Sequence, residues 1–200
     1  MSGVDALLEA IFRAGAVRAS EALAAWLDRP ASLVVERLES LPLADGMAVL
    51  GQGDEPISAA AMQVTGGLGG VLLLTAADEA GLVLADLLLG RPAGTSQEWG
   101  DLERSALAET ANIVGCSYLA ALATTVDGAD APAALPSPPC VVRDFPASVM
   151  EAVLAAETTA DIVMLATTEF RIEGVPIRCG VVFVPDAAAA ARLMAADGRG

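Results

Sequence analysis

Residues Leu102 to Thr124 read LERSALAETANIVGCSYLAALAT, and the rest of the chain is arranged around them. On a 3.6-residue period, Ser105, Glu109 and Asn112 stand at i, i+4 and i+7 and fall in one narrow stripe of a single helix. Leu107, Ala111, Val114, Tyr118 and Leu122 form an apolar stripe on the opposite side, the kind that packs on a core and leaves the polar face free. Asn112 is the only asparagine in the sequence. Asparagine favours caps and turns, so one in mid-helix lacks an obvious structural reason. Taken alone, an E-x-x-N pair is a spacing common on solvated helices, and the surrounding sequence has to decide its meaning.

Composition narrows the classes. Hydrophobic residues make up 54% of the 200, yet aromatic residues only 4%, so the interior is expected to be aliphatic, built from Ala, Leu and Val. Eleven basic residues, all Arg, oppose 26 acidic ones and there is no His, giving a formal charge of −15. A field of that sign repels nucleic acid and anionic membranes and suits a partner with a positive patch. Cys116, Cys140 and Cys179 are odd in number and form no C-x-x-C, so neither a disulfide framework nor a zinc site is expected. They read as buried free thiols in a reducing compartment, which predicts a cytoplasmic protein. No basic segment followed by an apolar run opens the sequence, so no signal peptide is expected. The uncharged stretch Pro56 to Ala77 is long enough to span a membrane, but Gln63 and four glycines between 66 and 70 make it two strands and a turn.

Working outward, Val4 to Leu27 predicts an amphipathic helix stopped before Pro30. Leu33 to Leu41 reads as a strand, with a short helix as the alternative. Ile57 to Thr65 and Val71 to Thr75 flank GGLGG as a hairpin; a phosphate loop would need a Lys, and the chain has none. Asp78 to Leu89 is a helix ended by Gly90, and the polar linker RPAGTS leads to the Ser105 helix. Asp127 to Pro139 is a turn-rich connector before a strand at Cys140 to Val142, and Pro146 opens a helix to about 157. Ile162 to Ile172 and Val175 to Val184 form a second hairpin about Glu173-Gly174, Ala187 to Ala195 closes the chain, and residues 197–200 should fray.

Two features repeat. Asp5 and Glu9 open one helix as Ser105 and Glu109 open another one hundred positions later, and each half ends in a hairpin followed by a helix. This predicts an α/β (α+β) fold of two duplicated halves, about 1–95 and 96–200, sharing one largely antiparallel sheet in a single 1–200 unit.

The run LERSALAETANIVGCSYLAAL and the LPSPP after it resemble the CheC-type phosphatases of bacterial chemotaxis (the CheC, CheX and FliY group). That family's signature is Ser or Asp, three residues, Glu, two residues, Asn, and a Pro about two dozen residues on; Ser105, Glu109 and Asn112 fit it. DLLLGRPAGTS, TTEFRIEG, GVVFVPD and the last helix also look like the family, so the resemblance spans almost the whole chain. Pro136 comes one residue late, and Cys116 stands where Gly is common, on the Asn112 face where it could crowd a partner. The resemblance implies a pseudo-twofold fold with two long motif helices on one face and one site on each. Here the first helix offers Phe12, or Arg13 if the alignment slips by one, where an Asn would be needed; an Asn at position 12 is then expected to restore a second site.

What the resemblance implies about chemistry is dephosphorylation of a phospho-aspartyl CheY-type response regulator, a protein phosphatase activity. Water attacks the acyl phosphate in line if it is held in place, and a carboxamide can accept from and donate to that water, the role assigned to Asn112. Glu109 would dock a cation on the regulator, by resemblance its active-site lysine, with general-base work as the alternative. Ser105 is a peripheral partner contact. The chain needs no cofactor of its own, and Mg²⁺ belongs to the regulator. The receptor deamidase CheD is a further partner implied by the resemblance, with the helix from Pro146 as its candidate surface; an adaptor or a flagellar-switch component is the alternative function.

Overall fold

Two hairpins meet at the centre of one sheet. The computed structural model of the chain describes residues 3–42, 45, 55–126, 133–156 and 162–197. Within them α1 (Gly3–Leu27) leads to β1 (Ala31–Pro42), then to the hairpin of β2 (Ile57–Thr65) and β3 (Gly70–Ala77), and to α2 (Asp78–Leu88). The motif helix α3 (Asp101–Val126) follows, then β4 (Leu135–Pro136), β5 (Cys140–Asp144), α4 (Pro146–Ala156), the hairpin of β6 (Ile162–Ile172) and β7 (Val175–Pro185), and α5 (Ala187–Asp197). Of the loop that the glycines predict at Gly51–Pro56, the connector at Asp127–Pro139 and the frayed end at 197–200, residues 51–54, 127–132 and 198–200 lie outside the described residues.

β3 and β7 pair antiparallel, from Gly70↔Pro185 to Thr75↔Gly180, and so join the hairpins back to back. β1 lies outside β6, and β4 and β5 lie outside β2, giving a seven-stranded order of β1-β6-β7-β3-β2 with β4 and β5 on the far edge. Every described ladder is antiparallel. The sheet therefore interleaves the sequence: β1 pairs with the later hairpin, and β5 with the earlier one. The strand reading of Leu33 to Leu41 holds, because its β-branched start alternates buried Leu33 and Val35 with exposed Val34 and Glu36 against β6. The short β4 pair, Val64↔Pro136 and Thr65↔Leu135, was not expected, since two residues rich in proline carry no strand period.

Period-two alternation splits the strands between two cores. Leu72, Leu74, Ala166, Phe170, Val181 and Phe183 face a layer made by α1, α2, α3 and α5. Val71, Leu73, Val163, Leu165, Val182 and Val184 face Val149, Met150 and Val153 of α4 alone. The interior is aliphatic, with Phe12, Phe170, Phe183 and Tyr118 as its large rings.

The glycine run between β2 and β3 is a close backbone crossing. A side chain at Gly69 would strike the Asp186 carboxylate, which accepts from Ala189 N at 2.7 Å and so caps α5. Asp186 N donates to Gly69 O at 3.0 Å, tying the turn of the first hairpin to the end of the second.

The structure corrects the reading of the cysteines. All three are free, but Cys116 and Cys140 are exposed and only Cys179 is buried. Cys116 sits on the outward face of α3, and Cys140 begins the edge strand β5, where only one neighbour covers it.

Candidate functional site on α3

The start of α3 is fixed by a polar network. Glu103, three residues into the helix after Gly100, accepts from Gly100 N at 3.1 Å, which closes the first turn as the glutamate of a capping box does. Its other oxygen accepts from Arg91 Nη1 at 2.6 Å and lies 3.2 Å from Ser96 Oγ. Ser96 Oγ donates to the buried Asp86 at 2.6 Å, and the Thr95 and Ser96 amides add bonds of 2.8 and 3.1 Å. The RPAGTS linker is thereby strapped between α2 and α3. Burial pushes the Asp86 carboxyl up, but the Ser96 and Thr95 hydrogen bonds outweigh it and leave the group below its ordinary 3.8. Glu103 is held below its ordinary 4.5 by its own backbone amide and by Arg91.

The body of α3 is held by its apolar side. Leu107, Ala111, Val114, Tyr118 and Leu122 are all buried, as the period predicts. Gly115 lets the helix approach the sheet, since a side chain there would overlap Met62 and Leu72. Tyr118 packs on Phe12 of α1 with ring centroids 5.3 Å apart, over Gly15. Asp101–Thr124 is apolar and long enough to cross a membrane, but over half of it is buried inside the protein, as in the core helix of a globular fold.

On the outward side Ser105 and Glu109 are exposed and Asn112 is half-buried, so one accessible face of α3 carries all three. Cys116, one turn beyond, is exposed on the same face, and its Sγ donates to Asn112 Oδ1 at 3.7 Å. Burial, then the charge of Glu109, raises the Cys116 pKa above its ordinary 9.0, so the thiol is protonated at neutral pH and available as a donor. The Cys116 thiol bond is not encoded in any spacing rule; only the i, i+4 position of the two residues hints at it.

Helix α1 does not repeat this face. Phe12 is fully buried, so an Asn placed there would face the core and not a partner. Exposed and buried positions of the two helices match when shifted by ninety-nine: exposed Ala10, Arg13, Val17 and Glu21 stand with Glu109, Asn112, Cys116 and Ala120, and buried Phe12, Ala16, Ala19 and Leu23 with Ala111, Gly115, Tyr118 and Leu122. The one-hundred-residue spacing of Glu9 and Glu109 is therefore a coincidence of sequence. Glu9 matches Ala108, and its carboxylate is taken by Arg13 at 2.7 Å. Asp5 lies where side chains are outside the described residues.

A cleft of about 640 Å³ opens over the sheet at Thr75, Thr167, Arg178 and Gly180, with Glu36 and Arg178 paired at 3.2 Å on its rim. No α3 residue lines it.

No protein-family model and no curated protein matches the chain by sequence. Solved structures do. FliY of Thermotoga maritima superposes with a TM-score of 0.75 at 19% identity, over 98% of this chain and 96% of that one. The FliM middle domain of H. pylori gives 0.68 at 14% identity over 96% and 97%. CheX of Desulfovibrio desulfuricans gives 0.54 at 13% over 88% and 99%. At such identities the match speaks for the fold alone: the chain has the fold shared by the CheX, FliY and FliM structures.

Proposed function

We propose that this chain is a cytoplasmic phosphatase of CheC type that hydrolyses the aspartyl phosphate of a CheY-type response regulator. The observation that carries this reading is the placement of Ser105, Glu109 and Asn112 on one accessible face of a rigidly seated helix. Water oxygen attacks phosphorus in line, the bond from phosphorus to the aspartyl oxygen breaks, and the carboxylate leaves with the electron pair. The water protons pass to the phosphate product and solvent. Asn112 orients that water; no nucleophile of this chain is required. Glu109, exposed and acceptor-only when ionised, docks the regulator through a cation, and Ser105 contacts its rim. The divalent ion belongs to the regulator, and calorimetric titration of the isolated chain with Mg²⁺ is expected to show no stoichiometric site. One site per chain follows from the exposed Ala10 and Arg13 on α1.

The decisive assay is decay of a phosphorylated CheY-type regulator with and without the protein. Asn112→Ala should lower turnover on the order of 10²-fold, as for loss of one preorganised polar contact. Mutant turnover equal to wild type would refute the mechanism. A second reading, an adaptor or switch component, draws support from the higher TM-score to the FliM middle domain than to CheX. It predicts stoichiometric binding of the regulator, CheD or a switch partner with no acceleration of dephosphorylation.

A further inference from the structure

Asn112 can serve water in two ways, because rotating its carboxamide by half a turn exchanges the oxygen acceptor with the two N–H donors. Something has to choose between them. Among the described residues Cys116 is placed to do so: its Sγ lies 3.7 Å from Oδ1 and donates to it. The spacing is i, i+4, so the two groups are stacked along one face and neither has to leave the helix to meet.

We propose that Cys116 is a positioning residue for Asn112: the thiol donates to Oδ1 and holds the carboxamide in one of its two orientations, oxygen toward the C-terminal turn. One lone pair of Oδ1 and both N–H groups remain for the water and the phosphoryl oxygens. This deepens the phosphatase reading and rests on it. It also gives the residue at 116 a purpose other than crowding. A smaller side chain there would open the face but release the amide. The thiol is suited to the task because it is a donor at neutral pH, and burial and the charge of Glu109, which raise its pKa above the ordinary 9.0, extend that state to more alkaline pH.

The two explanations separate in steady-state kinetics on a regulator phosphorylated with acetyl phosphate and Mg²⁺. A neutral hydrogen bond from a weak donor supports an expected fall in kcat of about threefold in Cys116→Ala, with KM unchanged. Cys116→Ser, which keeps an O–H donor, should return kcat to within about twofold of wild type. If Cys116 only crowds the partner, Cys116→Ala lowers KM and leaves kcat alone, and the proposal falls. A readout independent of turnover is the side-chain NH₂ resonance pair of Asn112 in ¹⁵N relaxation: ordered in wild type, mobile in Cys116→Ala, ordered again in Cys116→Ser. Unchanged order in Cys116→Ala overturns the positioning role. Absence of turnover with wild-type protein would instead overturn the phosphatase reading, and the relaxation series would then decide by itself whether the thiol holds the amide.

Discussion

Tyr118 shows how much one residue is asked to do in seating the motif helix. Its ring fills the gap between α3 and α1, where a side chain at Gly15 would come within 2.8 Å of it, and its tilted contact with the Phe12 ring adds about 0.5–1.5 kcal/mol beyond burial. The hydroxyl gains nothing from this position. It is buried with no hydrogen-bond partner among the described residues, and burial pushes the phenol pKa well up. Leaving such a group unsatisfied costs about 1–3 kcal/mol, so Tyr118→Phe is expected to be neutral or to stabilise the protein by about 1 kcal/mol in urea denaturation. A clear loss of stability would mean that the hydroxyl has a partner, such as a buried water.

At the scale of the element, α1 and α3 are two helices of similar length with different outward faces. Glu9 is occupied by Arg13 and stands in the register of Ala108, so Glu9→Ala should leave turnover within about twofold of wild type. Glu109→Ala should raise KM about fivefold through the lost contact with the regulator, the size expected for an exposed charge pair. Comparable losses from both would show that α1 takes part after all. Phe12→Asn cannot build a second site, because position 12 is fully buried; it should instead cost about 3–5 kcal/mol of stability, seen as a lower denaturation midpoint. The position to test for a second site is Arg13, which stands in the register of Asn112 on the outward side of α1.

At the scale of the whole molecule, the strap of Asp86, Arg91, Ser96 and Glu103 joins the end of the first hairpin-helix unit to the first turn of α3. Both carboxyls titrate below their ordinary values in the folded state. A depressed folded value means the stabilisation is complete above the unfolded value and is lost as pH falls through the folded one. Stability should therefore hold down to about pH 4.5 and decline below it. Asp86→Asn, which leaves the Ser96 and Thr95 donors poorly matched, should lose about 1–3 kcal/mol at neutral pH and show a flatter acid profile. An acid profile identical to wild type would exclude the strap as the origin of that sensitivity.

Local pattern made most of the elements legible. The alternation in EFRIEGVPIRCGVVFV, the glycines between Thr65 and Val71 and the apolar stripe of Leu107, Ala111, Val114, Tyr118 and Leu122 each set a period, and a period is a property of neighbouring residues. The same holds for Ser105, Glu109 and Asn112, whose spacing puts them on one face whatever the helix packs against. The rest depends on residues far apart in the chain. That β1 pairs with β6, that Phe12 packs on Tyr118, that Arg13 and not Phe12 stands in the place of Asn112, and that Cys140 is exposed could be decided only by packing. A one-residue slip between two helices leaves their composition unchanged but turns each side chain by about 100°, so sequence likeness could not fix it and burial against a common sheet did.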